Sequence, residues 1–147
     1  MPAQVTSAPI IRRAAPGEIA GCAALYVETS GRFFTWRPDG FFRYEEIERC
    51  AEDEDIWVAC QDDALGGFLS YFEPEHFVHF LMVDPRRRSE GLGTALLSHV
   101  RAHYGARHRL KVDRPNAEAR RFYARRGYKE IGEGKSDGVA WVMMRSP

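Results

Sequence analysis

The sequence predicts one α/β (α+β) domain, a mixed sheet of about seven strands flanked by about four helices. Three observations predict it. The 147 residues, 44% hydrophobic and 29% charged, match one compact domain that buries roughly 70% of its unfolded surface. Strand-like apolar runs and helical periodicities follow one another in the order β-α-α-β-β-β-α-β-α-β-β. Pro, Gly and Asp fall between these segments as punctuation, with no repeat and no low-complexity tract.

Each element has its own signal. Ile10-Ile11 is a short first strand, and Pro16-Gly17 precedes a helix to about Thr29 that carries Ile19, Cys22, Ala23, Tyr26 and Val27 at helical spacing. Ser30 to Gly40, aromatic but interrupted by Gly and Pro, reads as a loop. Asp39 is a candidate cap for a second helix to about Ala51, with Phe42, Ile47 and Cys50 inward. Ile56 to Cys60 and Leu65 to Glu73 form a hairpin across Asp62-Asp63, and Pro74 ends it. His76 to Val83 is a third, largely buried strand that stops at Asp84-Pro85. A helix then carries Leu92, Ala95, Leu96, Val100 and Tyr104 on one face. Leu110 and Val112 mark a strand, Asn116 opens a helix to about Arg126 and Gly127 caps it. Tyr128 to Gly132 and Val139 to Met144 close the chain as a hairpin around Asp137-Gly138.

Composition narrows the function. Lys and Arg number 21 and Asp and Glu 21, for a formal net charge of zero. That balance argues against a nucleic acid or an anionic membrane as the main partner, since both select a basic excess. Three cysteines without a C-x-x-C pair argue against a disulfide framework or a cysteine zinc site and point to a reducing, cytoplasmic setting. Met1 to Ile10 lacks the basic and apolar regions of a signal peptide, and no run is long enough for a membrane span. His99-x-x-x-His103 has the spacing of two ligands on one helical face, but Val100 stands where a zinc-protease helix has Glu, so no metal is expected.

Chemistry concentrates around Arg88-x-x-Gly91-x-Gly93, between a strand and a helix, where backbone N–H groups and the helix dipole favour an anion. A dinucleotide fingerprint needs a third glycine where this chain has Leu96. Gly134-Lys135-Ser136 mimics the end of a P-loop, but Lys129 occupies the first glycine position and the segment joins two strands.

Leu81-Met82-Val83-Asp84-Pro85 followed by Arg88-x-x-Gly91-x-Gly93, with Asn116-x-x-Ala119-x-x-Phe122-Tyr123-x-x-x-Gly127-Tyr128 downstream, closely resembles the GCN5-related N-acetyltransferases. The resemblance spans roughly residues 76 to 132 and implies that family's acyl-coenzyme A N-acyltransferase fold. It implies acetyl-CoA as co-substrate, with Arg88, Ser89, Glu90, Gly91, Leu92, Gly93 and Thr94 around the pyrophosphate. Leu81, Met82 and Val83 would pair with the pantetheine arm, and Asn116 would lie alongside it. Tyr123 matches the tyrosine whose hydroxyl lies near the coenzyme sulfur. Transfer to an amine by direct attack, without a covalent enzyme intermediate, is the expected reaction.

That chemistry requires a deprotonated amine, donors for the tetrahedral oxyanion and an acid for the departing thiolate. A backbone N–H near Met82 or Val83, where the family's strand bulges and splays, is the expected oxyanion donor. Tyr123 is the candidate acid. The base is open between His79, Glu73 and water; imidazole has the better starting pKa, near ~6.5. Cys22, Cys50 and Cys60 lie in apolar segments and are not expected to act as nucleophiles.

The family's enzymes for ribosomal-protein N-termini carry a glutamate five residues before the asparagine, where this chain has Lys111; an N-terminal peptide acceptor is therefore disfavoured. Phe33, Phe34 and Trp36 are candidate walls of an acceptor pocket. A small-molecule primary amine is the expected acceptor, a protein lysine or a non-catalytic coenzyme A sensor the alternative. Homodimers are frequent in the family, and an exposed aromatic surface would serve one.

Overall fold

Residues 8–88 and 90–147, described by the computed structural model, form a seven-stranded mixed sheet with helices on both faces. In chain order the elements are β1 (Ile10–Arg13), α1 (Ile19–Phe33), α2 (Tyr44–Asp53), β2 (Asp55–Gln61), β3 (Ala64–Phe72), β4 (Phe77–Val83), α3 (Leu92–Tyr104), β5 (Arg109–Asp113), α4 (Ala117–Arg125), β6 (Lys129–Ser136) and β7 (Val139–Arg145). The sheet order is β1-β2-β3-β4-β5-β7-β6, antiparallel except between β4 and β5. Ser89 lies outside the described residues.

Two apolar clusters sandwich the sheet. One joins Leu92, Leu96, Leu97 and Val100 of α3 and Tyr123 of α4 to Val78, Leu110, Val112 and Val142. The other joins Cys22, Ala23 and Tyr26 of α1 and Ile47 of α2 to Val58, Phe68 and Met82. Burying such side chains contributes about 1.5–3 kcal/mol each.

Two local expectations are corrected. First, α1 runs through Ser30 to Phe33, because Thr29 and the fully buried Ser30 continue the stripe of Cys22, Ala23 and Tyr26 at helical spacing. Second, α2 starts at Tyr44 rather than after Asp39: Glu46 reaches back to accept from the Arg43 N–H at 2.9 Å, closing the first turn. The β2–β3 turn is as expected, with Asp62 and Asp63 both at positive φ (53° and 61°), as a two-residue hairpin loop requires.

The interior of β4 positions everything that follows. Ser70 pairs with Phe80, yet Tyr71 pairs with Val78, so His79 is one extra residue in the ladder. The bulge reverses the alternation of side chains. Val78, Leu81 and Val83 face the α3/α4 cluster, while Phe80 and Met82 face the α1/α2 cluster. Beside it, β5 pairs with β4 only at Phe77↔Arg109 and Val78↔Leu110. Past that point the parallel strands diverge and leave an edge of about 10 Å, Phe80 to Val83, unpaired on that side.

Candidate active site

The divergence opens a slot through the sheet. Backbone direction along its β4 wall follows from one bond: Asp84 N–H donates to the Gly66 carbonyl at 2.8 Å. Since antiparallel strands turn alternate residues to alternate sides, Met82 faces β3, and Leu81 and Val83 turn N–H and C=O toward the slot. The bulge that the sequence places near Met82 and Val83 is at His79, and Met82 N–H is directed at Phe68, its partner on β3.

At the end of β4 the chain turns through Asp84, whose carboxylate accepts from Arg86 N–H and pairs with the Arg86 guanidinium at 2.9 Å. The Arg86 hydrogen bonds hold the Asp84 carboxyl below its ordinary value. The two motif glycines serve different needs. Gly91 has φ +77°, a left-handed conformation that side chains resist. Gly93 lies in the first turn of α3, where a Cβ would come within 3.1 Å of the Phe122 ring and 3.6 Å of Val83, so its absence lets α4 close on the helix start. Gly91, the N-cap of α3, has no side chain to cap the helix, and Ala95 N–H bonds back to the Gly91 carbonyl. The N–H groups of Leu92, Gly93 and Thr94 are thus left for an anion.

The other loop residues are placed as follows. Leu92 is buried in the core and presents only its backbone. Glu90 is exposed, 4.0 Å from Arg87. Thr94 Oγ1 accepts from Arg126 Nε at 2.7 Å, and the Arg126 guanidinium lies 3.5 Å over the Phe122 ring, tying α3 to α4. Arg88 pairs with Glu118 of α4 at 2.8 Å and stacks 4.7 Å from the Phe33 ring, so one guanidinium bridges the ends of α1 and α4. Asn116 accepts from Ala119 N–H at 3.1 Å and caps α4.

Tyr123 of α4 is 8% exposed in the α3/α4 cluster, its ring against Phe122 and Tyr128, both at 5.2 Å. Burial, and then Tyr128, push its hydroxyl above the ordinary phenol value. It therefore stays protonated through the neutral range. Burial likewise pushes the Cys22 and Cys50 thiols up to about 12, far from the thiolate that a nucleophile needs.

Across the sheet, on the α1/α2 side, the aromatic segment is pinned rather than loose. Phe34 stacks on Trp36 at 5.1 Å. Trp36 Nε1 donates to Asp113 at 2.9 Å, and Arg37 grips the same carboxylate with Nε and Nη2, each at 3.1 Å. Arg37 also donates to the Ser136 carbonyl at 3.3 Å and covers Phe41 at 4.3 Å. The clamp lashes the α1–α2 connection to the open end of β5 and to the closing hairpin.

The two candidate bases separate. Glu73 lies in an exposed 3-10 turn, Glu73–Glu75, beyond the Phe72↔Phe77 pair and at the opposite end of β4 from the glycine loop. His79 sits at the bulge near the slot's apex with its Nδ1 2.6 Å from Glu54. Sequence reading missed Glu54, Asp113 and Arg37. Each gains its place through a contact between residues at least 25 positions apart, for which spacing carries no signal.

His99 and His103 stack 6.2 Å apart against Trp57, and among the described residues no three His, Cys, Asp or Glu side chains group as metal ligands. No helix among them is long and apolar enough to cross a membrane. A cavity of about 380 Å³ at the β1 edge, lined by Ile10, Arg12, Cys60 and Leu65, holds the Arg12–Glu18 ion pair and lies away from the slot.

Known proteins share this fold. A 5-NmdU N-acetyltransferase of Pseudomonas phage PaMx11 is 36% identical over 85 residues, 53% of this chain and 59% of that protein. The match thus spans about three-fifths of the relative's length. The solution structure of apo YjaB from Escherichia coli superposes with a TM-score of 0.79 at 20% identity, covering 95% of this chain and 98% of that one. The PaiA N-acetyltransferase of Thermoplasma acidophilum, crystallised with coenzyme A, gives 0.77 at 18% identity over 96% and 100% of the two chains. These two establish the fold. The model of the acetyltransferase (GNAT) family matches residues 22–128, which carry both glycines, the slot and Tyr123. The chain belongs to the acetyltransferase (GNAT) family.

Proposed function

We propose that the protein is an acetyl-CoA-dependent N-acetyltransferase that moves an acetyl group to a primary amine of a small molecule by direct attack. The observation that carries this reading is the slot between β4 and β5, with two turned backbone positions on one wall, uncapped N–H groups at its end and a buried phenol in the α3/α4 cluster. The coenzyme enters from the α3/α4 side. Leu81 and Val83 bond its pantetheine arm as an added strand would, and the N–H groups of Leu92, Gly93 and Thr94 take its pyrophosphate. The Leu81 N–H, the turned donor nearer the slot's apex, faces the thioester carbonyl and stabilises the oxyanion, while Val83 holds the arm beside the glycine loop. Tyr123 protonates the departing sulfur, at a thiol pKa near ~8.5. Arg88 turns from Glu118 to the phosphates.

The acceptor enters from the other side, walled by Phe33, Phe34 and Trp36. A lysine-bearing basic peptide fits poorly there, because the Asp113 carboxylate is already taken by Trp36 and Arg37. An acceptor of the kind for which the phage relative, a 5-NmdU N-acetyltransferase, is named has more support.

Thiol release from acetyl-CoA, scanned over polyamines, amino acids, aminoglycosides, arylamines, aminomethyl nucleosides and lysine peptides, tests the proposal. Turnover with one acceptor group, and near-complete loss in Tyr123→Phe, is the expected result. Failure of coenzyme A to bind in calorimetry would overturn it; binding without turnover on any amine would point to a coenzyme sensor.

A further inference from the structure

His79 is half-exposed, but the carboxylate it touches is not: the side chain of Glu54 is 7% exposed and that of His79 45%. A carboxylate so enclosed needs a hydrogen-bond donor. The ring supplies one, with Nδ1 2.6 Å from Glu54 Oε1. An ionised carboxylate only accepts, so the shared proton belongs to Nδ1, and in the neutral ring that tautomer leaves Nε2 as the acceptor. Two structural features hold the pair in place. Glu54 is the C-cap of α2, its N–H bonded to the Cys50 carbonyl at 2.8 Å, so the residue is fixed between helix and β2. His79 is the bulged residue of β4, packed on Phe77 at 4.8 Å. Without the extra residue, the Phe80 and Met82 side chains would lie on the other face of the sheet, and the slot's edge would begin in a different register.

Beyond this contact the ring is bordered by aromatic side chains and is otherwise open to solvent, 45% exposed. Phe72, Phe77 and Phe80 border the ring. Cys50 faces the far side of Glu54, its thiol pushed up by burial first and by this carboxylate next. Lys111 stands one register step beyond the last β4–β5 pair and is drawn away onto the Trp141 ring, 4.3 Å from its centroid.

We infer that Glu54 is a positioning residue that fixes the tautomer of His79, so that Nε2 serves as the base for the acceptor amine. This rests on the acetyl-transfer reading. As the new C–N bond forms and the thioester C–S bond breaks, Nε2 takes the proton that the acceptor nitrogen loses. Tyr123 supplies the proton to sulfur, and the imidazolium proton leaves to solvent as the phenolate regains one. Glu54 also stabilises the imidazolium formed in the step, the part a buried carboxylate plays in a hydrolase triad.

Imidazole nitrogen NMR of ¹⁵N-histidine-labelled protein, in alkaline buffer where the ring is neutral, reads the tautomer without need of activity. The wild type is expected to show Nδ1–H, Glu54→Gln to keep it through the amide oxygen, and Glu54→Leu to lose it. In steady state, Glu54→Leu is expected to lower kcat about 10- to 100-fold, within the usual contribution of a general base, at unchanged KM for acetyl-CoA. Glu54→Gln is expected to fall between, which rescues the role of orientation and separates it from charge. An Nε2–H ring in a wild type that turns over, or an undiminished kcat in folded Glu54→Leu, overturns the dyad alone. A wild type inert toward every amine overturns the acetyl-transfer reading and the dyad's part in it together.

Discussion

Tyr123 shows how one residue is tuned for one step. Its ring anchors α4 in the core, and the burial that raises its hydroxyl keeps the phenol protonated through the neutral range, so a proton is at hand when the coenzyme thiolate departs. Replacing it with Phe keeps the packing and removes the proton, so kcat is expected to fall about 100-fold or more, while calorimetry finds the coenzyme Kd within twofold, roughly the scatter of such comparisons. A matching loss of coenzyme binding would make the residue a binding group instead. The motif residues of the site were legible in the sequence because glycines, Asn116 and Tyr123 occupy fixed offsets within two contiguous segments. Glu54 and Asp113 were not, because a carboxylate at a helix end or strand end looks solvated until the chain folds another element onto it.

At the scale of elements, the α1–α2 connection behaves as a clamped strap. Removal of Asp113 leaves the Arg37 guanidinium, 7% exposed, without its partner. Asp113→Ala is therefore expected to cost about 1–3 kcal/mol of stability, as an orphaned buried polar group does. Because the strap walls the acceptor side only, acceptor KM is expected to rise severalfold with coenzyme Kd unchanged. Steady-state kinetics in both substrates checks this, and a rise in KM for acetyl-CoA alone would contradict it. Most elements were legible: periodicity located all seven strands and four helices. Element ends were less so. Helix α1 overran its predicted end because Ser30 and Gly31 read as breakers, yet a small hydroxyl residue fits the buried stripe. The bulge at His79 left no mark either, since the alternation it reverses lies within a run of apolar residues.

The stability of the whole molecule depends on pH through a buried histidine. His108 is fully buried, with Nε2 2.6 Å from the Tyr128 hydroxyl, and burial lowers its pKa to about 4. In the unfolded chain it titrates near 6.5. Between those values the unfolded state binds more protons, so stability is full above about 6.5 and is lost as pH falls toward 4. The loss amounts to about 3 kcal/mol, and His99, lowered chiefly by burial, adds to it with the same sign. Urea unfolding at a series of pH values is expected to show this slope, and His108→Gln to flatten it; an equal slope in both proteins would place its origin elsewhere.

The most direct test of the slot as the coenzyme's seat is residue-resolved amide exchange with and without coenzyme A. Met82, turned to β3, is expected to be protected in both states. Leu81, Val83, Leu92, Gly93 and Thr94 are expected to exchange freely alone and to become protected when coenzyme A is added. Protection that appears instead around Ile10, Arg12 and Cys60, or no change along the slot at saturating ligand, would contradict it.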